Sequence, residues 1–168
     1  DQLNEEAMVV LDEVLATANR RGVRLIIPFI DFASWWGGIT EFAAWRGKAK
    51  MDFFTDSRMK ADYKQLVSAV VNRINTRTGV RYKDYPAVLA WELGNELKAP
   101  TEWVAEMAPH VKLLAPRQLV AESYFTSPDN PGVDIVQDHL YQGDPVKMIA
   151  QIQESVKRAA GKKVYMVG

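Results

Sequence analysis

The apolar stretch PAVLAWELGNEL ends in two carboxylates and an amide, Glu92, Asn95 and Glu96, where a buried strand would be expected to finish. A carboxyl held away from water favours its neutral form and can donate a proton near neutral pH. An amide offers N–H donors and a carbonyl acceptor to a hydroxyl-rich ligand. The spacing therefore points to acid/base work by Glu96 beside an orienting Asn95. Glu92 shares a strand face with Gly94 and Glu96 and is expected to point inward and pair with a cation there.

Polar residues end the other apolar segments in the same way: Asp31, Glu122 with Ser123, and His139 with Tyr141. His139 and Tyr141 alternate onto one face, where a ring N–H and a phenol O–H could orient a ligand or a reacting carboxylate. Neighbouring strands lie about 4.8 Å apart, so a Glu96/Glu122 pair is conceivable. The favoured role of Glu122 is ligand binding or a loop hydrogen bond. The segment DFASWWGGITEFAAWRGKAKMDFFTD is too long for a passive connection. Its Trp35, Trp36 and Trp45 could present flat faces to a ligand or could form local core under the loop. Trp91 reads as core or cleft floor, Trp103 and His110 as packing residues, and Arg73, Asn75 and Arg77 as helix-end hydrogen bonding and solvated charge.

Several classes of partner and cofactor drop out on composition. Lys+Arg and Asp+Glu both total 21, which gives no electrostatic reason to expect nucleic acid or an anionic membrane surface. An uncharged or small polar ligand fits better. There is no cysteine and there are only two histidines, so neither a disulfide framework nor a protein zinc centre is expected, and no cofactor is implied. No apolar run approaches the roughly 20 residues of a membrane span. The compartment cannot be read from these residues.

The elements that must carry these side chains alternate between helix and strand. A helix is expected from about Leu3 to Arg20 with Leu3, Ala7, Val10, Leu11, Val14 and Ala18 inward, stopped by Gly22. A second helix spans about Ser57 to Thr76 with Tyr63, Leu66, Val67, Val70, Val71 and Ile74 inward, a third starts at a Thr101 N-cap, and a fourth starts at Asp144-Pro145. VRLIIPFI, PAVLAWELG, RQLVAESYF, GVDIVQDHLY and KKVYMV read as strands. Near-continuous apolar strands between helices imply a parallel α/β sheet. No glycine-rich phosphate loop follows any strand, and the polar residues gather at strand ends, so a barrel is favoured over a doubly wound sheet. A (β/α)8 barrel takes about 250 residues, so residues 1–168 are expected to form a single, incomplete TIM-barrel domain with five of its strands. The link TSPDNPG looks short for a parallel crossover, so that βα unit is expected to be compressed.

FFTDSRMKADYKQLVSAVVNRINTRTGVRYKDYPAVLAWELGNEL resembles the middle of a glycoside hydrolase family 5 enzyme, nearest the endo-β-1,4-mannanase branch, and DHLY and KKVYMVG agree with two later strands. The resemblance implies a (β/α)8 barrel that hydrolyses a polysaccharide, β-mannan above all, by retention and without a cofactor. It implies that Glu96 is the general acid/base and Asn95 a substrate-binding residue. It further implies that His139 and Tyr141 line the site, that the loop with Trp35, Trp36 and Trp45 contributes to the cleft, and that the protein is secreted. The nucleophile would be a Glu directly beyond Gly168, and Lys98 stands in the Pro-Arg that family members carry after the acid/base. Hydrolysis of a glycosidic bond needs an acid for the leaving oxygen and a second carboxylate for the sugar carbon. The alternatives are a half-barrel that binds polysaccharide without turnover, or closes by association with a second copy, and a hydrolase of a β-glucan such as cellulose.

Overall fold

A computed structural model describes residues 3–34, 37–141 and 143–168. Trp35 and Trp36 therefore lie outside the described residues. The order is α1 (Glu5–Arg21), β1 (Leu25–Pro28), α2 (Ile39–Ala44), α3 (Asp52–Thr55), α4 (Ser57–Asn72), β2 (Val88–Glu92), α5 (Thr101–Leu114), β3 (Leu119–Glu122), β4 (Ile135–Asp138), α6 (Pro145–Ala159) and β5 (Val164–Val167).

All five strands pair in parallel, and their spatial order β1-β2-β3-β4-β5 is the chain order. A doubly wound sheet reverses direction at a switch point. This sheet never reverses, so it winds one way as the wall of a TIM barrel does. The expected α/β class and partial barrel are both present. Only the β3–β4 connection, residues 123–134, lacks a helix, and it meets the dozen-residue minimum for a parallel crossover with irregular chain alone.

Strand alternation sorts the side chains into two layers. Ala90, Ala121 and Ile135 pack with Ile26, Leu119 and Met166 on the concave face. Trp91, Val120 and Val136 face the helices. There Trp91 stacks on Phe29 with ring centroids 5.1 Å apart and donates its indole N–H to Gln118 at 2.6 Å, which makes it core. Trp103 joins Phe53, Phe54 and Tyr63 in an aromatic cluster between α3, α4 and α5.

Two helices depart from the sequence pattern. The inward residues of α1 are Met8, Asp12, Leu15, Ala16 and Ala18, whereas Ala7, Val10 and Val14 of the expected stripe are exposed. The face is rotated because a charged residue, Asp12, sits at its centre. Helix α4 ends at Asn72 rather than Thr76, since Arg73 leaves the helix to pair with Glu5 and Asp12 at 2.8 Å each. Ile74 consequently turns out to solvent. Arg73 is thus a nearly buried ion-pair partner, not solvated charge, and Asn75 is buried with its amide donating to the Asp12 carbonyl at 2.8 Å. Arg77 pairs with Glu13 at the surface, as a helix-end charge should. At α5 the N-cap is Pro100, with Thr101 in the first turn. Asp144 and Pro145 start α6 as expected, the Asp144 carboxylate accepting from the Val146 and Lys147 amides.

Candidate active site at the strand ends

The chain leaving β2 is tethered at every residue before Glu96. The buried Tyr63 hydroxyl on α4 donates to the Leu93 carbonyl at 2.7 Å. The Ser123 hydroxyl lies against the Gly94 carbonyl. The Asn95 amide donates to the Ile30 carbonyl at 2.7 Å, and its side-chain NH2 donates to Asp31 at 2.9 Å. Asp31 is itself fixed by the Ala33 amide at 2.6 Å. A β-carbon at Gly94 would come within 2.9 Å of Leu97 and 3.0 Å of Ile30, so only glycine lets β2 run this close to the end of β1.

These tethers hold Glu96 in a left-handed conformation, φ 49°. It is the one positive φ outside glycine among the described residues. An L-residue adopts that geometry at a cost of about 1–2 kcal/mol, and such strain gathers where a side chain must be aimed. The Glu96 carboxylate keeps 36% of its exposure, so this strand end is open rather than dry.

Tyr141 donates its hydroxyl to Glu96 Oε1, and His139 Nδ1 stands 3.7 Å from the same oxygen. The hydrogen bond to Glu96 pushes the Tyr141 phenol above its usual value. His139 is nearly buried, with Tyr124 packed beside its ring at 5.6 Å between centroids. Burial, then the Glu96 charge, push the Tyr124 hydroxyl up. His139 Nε2 is buried without a hydrogen-bond partner among the described residues. A β-carbon at Gly168 would lie 3.1 Å from the His139 ring, so the end of β5 runs directly beneath it. Lys98 reaches over the other ring in this group, its Nζ 5.5 Å from the Tyr124 centroid.

The structure therefore brings together four of the residues expected from sequence: Asn95, Glu96, His139 and Tyr141. It adds Asp31 as the anchor of Asn95, Tyr124 as the wall behind His139, and Lys98. Asp31 carried a legible signal, a polar residue ending an apolar strand. Tyr124 carried none, since an aromatic just after a strand reads as core.

Of the two roles expected for Glu122 the structure shows the loop hydrogen bond, and Trp45 lies away from the strand ends. Glu122 pairs in register with Val136 on the helix-facing side of the sheet and is buried. Its carboxylate accepts from the Thr126 amide at 3.2 Å, the Thr126 hydroxyl at 2.9 Å and the Asn130 side chain at 3.2 Å. It is the clasp of the 123–134 connection, on the opposite face from Glu92, and cannot share a substrate with Glu96. Trp45 is 77% exposed and tilts against Phe42 at 5.6 Å. It lines a groove of about 310 Å³ with Leu3, Arg46, Asp62, Gln65, Leu66 and Ala69, on the flank of α4 rather than at the strand ends.

Glu92 points inward as expected, but its partners are a hydroxyl and an amide, not a cation: Ser123 Oγ at 2.7 Å and Gln137 Nε2 at 3.1 Å. Burial pushes its carboxyl up, against the pull of Ser123, His139 and Gln137. Among the described residues no group of three or more acidic or imidazole side chains is placed to hold a metal ion.

Asn95, Glu96, His139 and Tyr141 thus gather at the C-terminal ends of parallel barrel strands, the edge where barrel enzymes carry their chemistry. The family model described as GH family 5 beta-mannosidase-like matches residues 1–141, and the chain belongs to that family. Mannan endo-1,4-beta-mannosidase 7 of Arabidopsis thaliana is 35% identical over 176 residues, covering 82% of this chain and 41% of that protein. Mannan endo-1,4-beta-mannosidase 8 of Oryza sativa subsp. japonica is 34% identical, covering 83% of this chain and 46% of its own length. Among solved structures, the endo-beta-1,4-mannanase from Thermotoga petrophila superposes with a TM-score of 0.83 at 28% identity, over 95% of this chain and 45% of its own. The chain thus spans less than half the length of these relatives.

Proposed function

We propose that these residues form the acid/base half of the active site of a retaining endo-β-1,4-mannanase that cleaves β-mannan, with Glu96 as general acid/base. The observation that carries the reading is the aimed carboxylate: Glu96 is strained, partly exposed and contacted on Oε1 by Tyr141 and His139. In this reading Oε1 is held by protein and the other carboxyl oxygen delivers the proton to the leaving glycosidic oxygen.

Asn95 still has one side-chain N–H and its carbonyl to offer a sugar hydroxyl, because Asp31 takes only one donor. Retention requires a second carboxylate about 5–5.5 Å from the first. Glu122 faces the helices, Asp31 is engaged with Asn95, and Glu92 is buried behind Ser123. None of these three is placed to serve as that second carboxylate.

The complete polypeptide is assayed on β-1,4-mannan and on cellulose, with the anomeric form of the first product followed by NMR. Cleavage of mannan with retention is expected, and Glu96→Gln lowers kcat at least about a hundredfold. Normal mannan cleavage by Glu96→Gln would sink the assignment, and preferential cleavage of cellulose would move the substrate to a β-glucan.

A further inference from the structure

Ser123 Oγ lies against two acceptors at once, the Glu92 carboxyl at 2.7 Å and the Gly94 carbonyl. A hydroxyl carries one proton and can satisfy only one of them by donation. With Glu92 ionised, Ser123 donates to the carboxylate and the Gly94 carbonyl keeps only the long 3.4 Å bond from the Leu97 amide. With Glu92 protonated, the carboxyl O–H donates to Ser123 Oγ and the Ser123 proton passes to the Gly94 carbonyl, so every group is satisfied. The surroundings favour the second arrangement. Glu92 is 6% exposed, and no Lys or Arg forms an ion pair with it among the described residues. A buried carboxylate without an ion-pair partner is costly, and burial pushes this carboxyl up against the opposing pull of Ser123, His139 and Gln137.

Gly94 is two residues before Glu96, at the foot of the turn that forces φ 49°. We infer that Glu92 is a positioning residue for Glu96, acting through Ser123 to fix the Gly94 carbonyl and with it the strained turn that aims the acid/base. The inference rests on the proposed role of Glu96, but Glu92 itself touches no substrate. Gln137, at 3.1 Å, holds the Glu92 side chain in its place from β4.

The test measures kcat and KM on a mannan oligosaccharide with the complete polypeptide, together with the crystallographic φ of Glu96. Ser123→Ala removes the relay hydroxyl and is expected to lower kcat about tenfold, the worth of one buried hydrogen bond, with KM within about twofold. In the same variant Glu96 is expected to relax out of the left-handed region. Glu92→Ala behaves likewise. Glu92→Gln supplies an N–H donor to the same hydroxyl and is expected to recover most of the rate, which loss of packing alone would not predict. Unchanged kcat and an unmoved Glu96 in Ser123→Ala would overturn the inference, as would Glu92→Gln being as impaired as Glu92→Ala. If the parent protein cleaves no mannan, the functional reading fails, and the φ of Glu96 in Ser123→Ala still decides this one.

Discussion

Two charged clusters flank β2 and are built on opposite principles. Before the strand, Asp12 is fully buried and takes Arg73 Nε and Nη2 at 3.1 and 2.8 Å, the Tyr82 hydroxyl at 2.6 Å, and the Thr76 hydroxyl and amide at 2.8 and 3.2 Å. Burial pushes its carboxyl up, yet Arg73, Tyr82 and Thr76 overcome that and hold it far below the usual carboxylate range. Arg73 gives two more donors to Glu5 at 2.8 Å. After the strand, Glu96 is strained, partly exposed and contacted on one oxygen, and His139 Nε2 is buried without a partner among the described residues. The first cluster surrounds the buried Asp12 carboxylate with five donors and ties α1 to the end of α4. The second leaves capacity unspent, as the proposed binding and proton exchange would require. Charge density alone therefore does not separate the two clusters; backbone strain and unspent hydrogen-bonding capacity together do.

The contrast breaks most visibly at Arg73. Arg73→Ala strands the buried Asp12 carboxylate and is expected to cost about 3–5 kcal/mol of stability, read by chemical denaturation. Hydrolysis per folded molecule should stay at the parent level; a loss of kcat at full folding would mean that the two clusters communicate.

The same contrast has a pH signature. Asp12 has a depressed folded value, so its stabilisation is fully present above its unfolded value of 3.8 and is lost as pH falls below it. Glu92 has a raised folded value, so its favourable share is present below its unfolded value of 4.5 and is lost as pH rises through the folded one. Asp12→Asn should therefore flatten the acid limb of a stability profile, and Glu92→Gln the limb above pH 4.5, by denaturation across pH; the opposite assignment would contradict both readings.

Smaller effects sharpen the boundary of the site. Glu122→Gln should loosen the 123–134 connection by about 1 kcal/mol, seen as faster amide exchange at Thr126 and Asn130, with kcat/KM unchanged. A drop in kcat/KM would return Glu122 to the cleft. Trp45→Ala, on the flank of α4, should leave KM for mannan within about twofold and stability within about 0.5 kcal/mol.

What could be read from the sequence was local. Apolar runs of strand length bounded by turn residues mark β2, β4 and β5, and the polar residues that end them mark Asn95, Glu96, His139 and Tyr141, since a strand's last residues must lie at one edge of the sheet. Glu122 had a usable signal that the spacing argument passed over: it is two residues from Val120 and must share its helix-facing side. The α1 stripe could not be read correctly, because period alone places Val10 and Val14 inward and gives no reason to bury Asp12. Only Arg73, distant in sequence, supplies one.

The sequence by itself determined the alternation of helix and strand, the parallel sheet, and the strand end that carries Glu96, because each follows from side-chain periodicity within a dozen residues. Tertiary structure alone decided which carboxylates face the cleft, which face the helices and which are locked in ion pairs. Those outcomes depend on sheet register and on partners tens of residues away, Asp31 for Asn95, Ser123 for Glu92 and Arg73 for Asp12, and no local pattern encodes such distances.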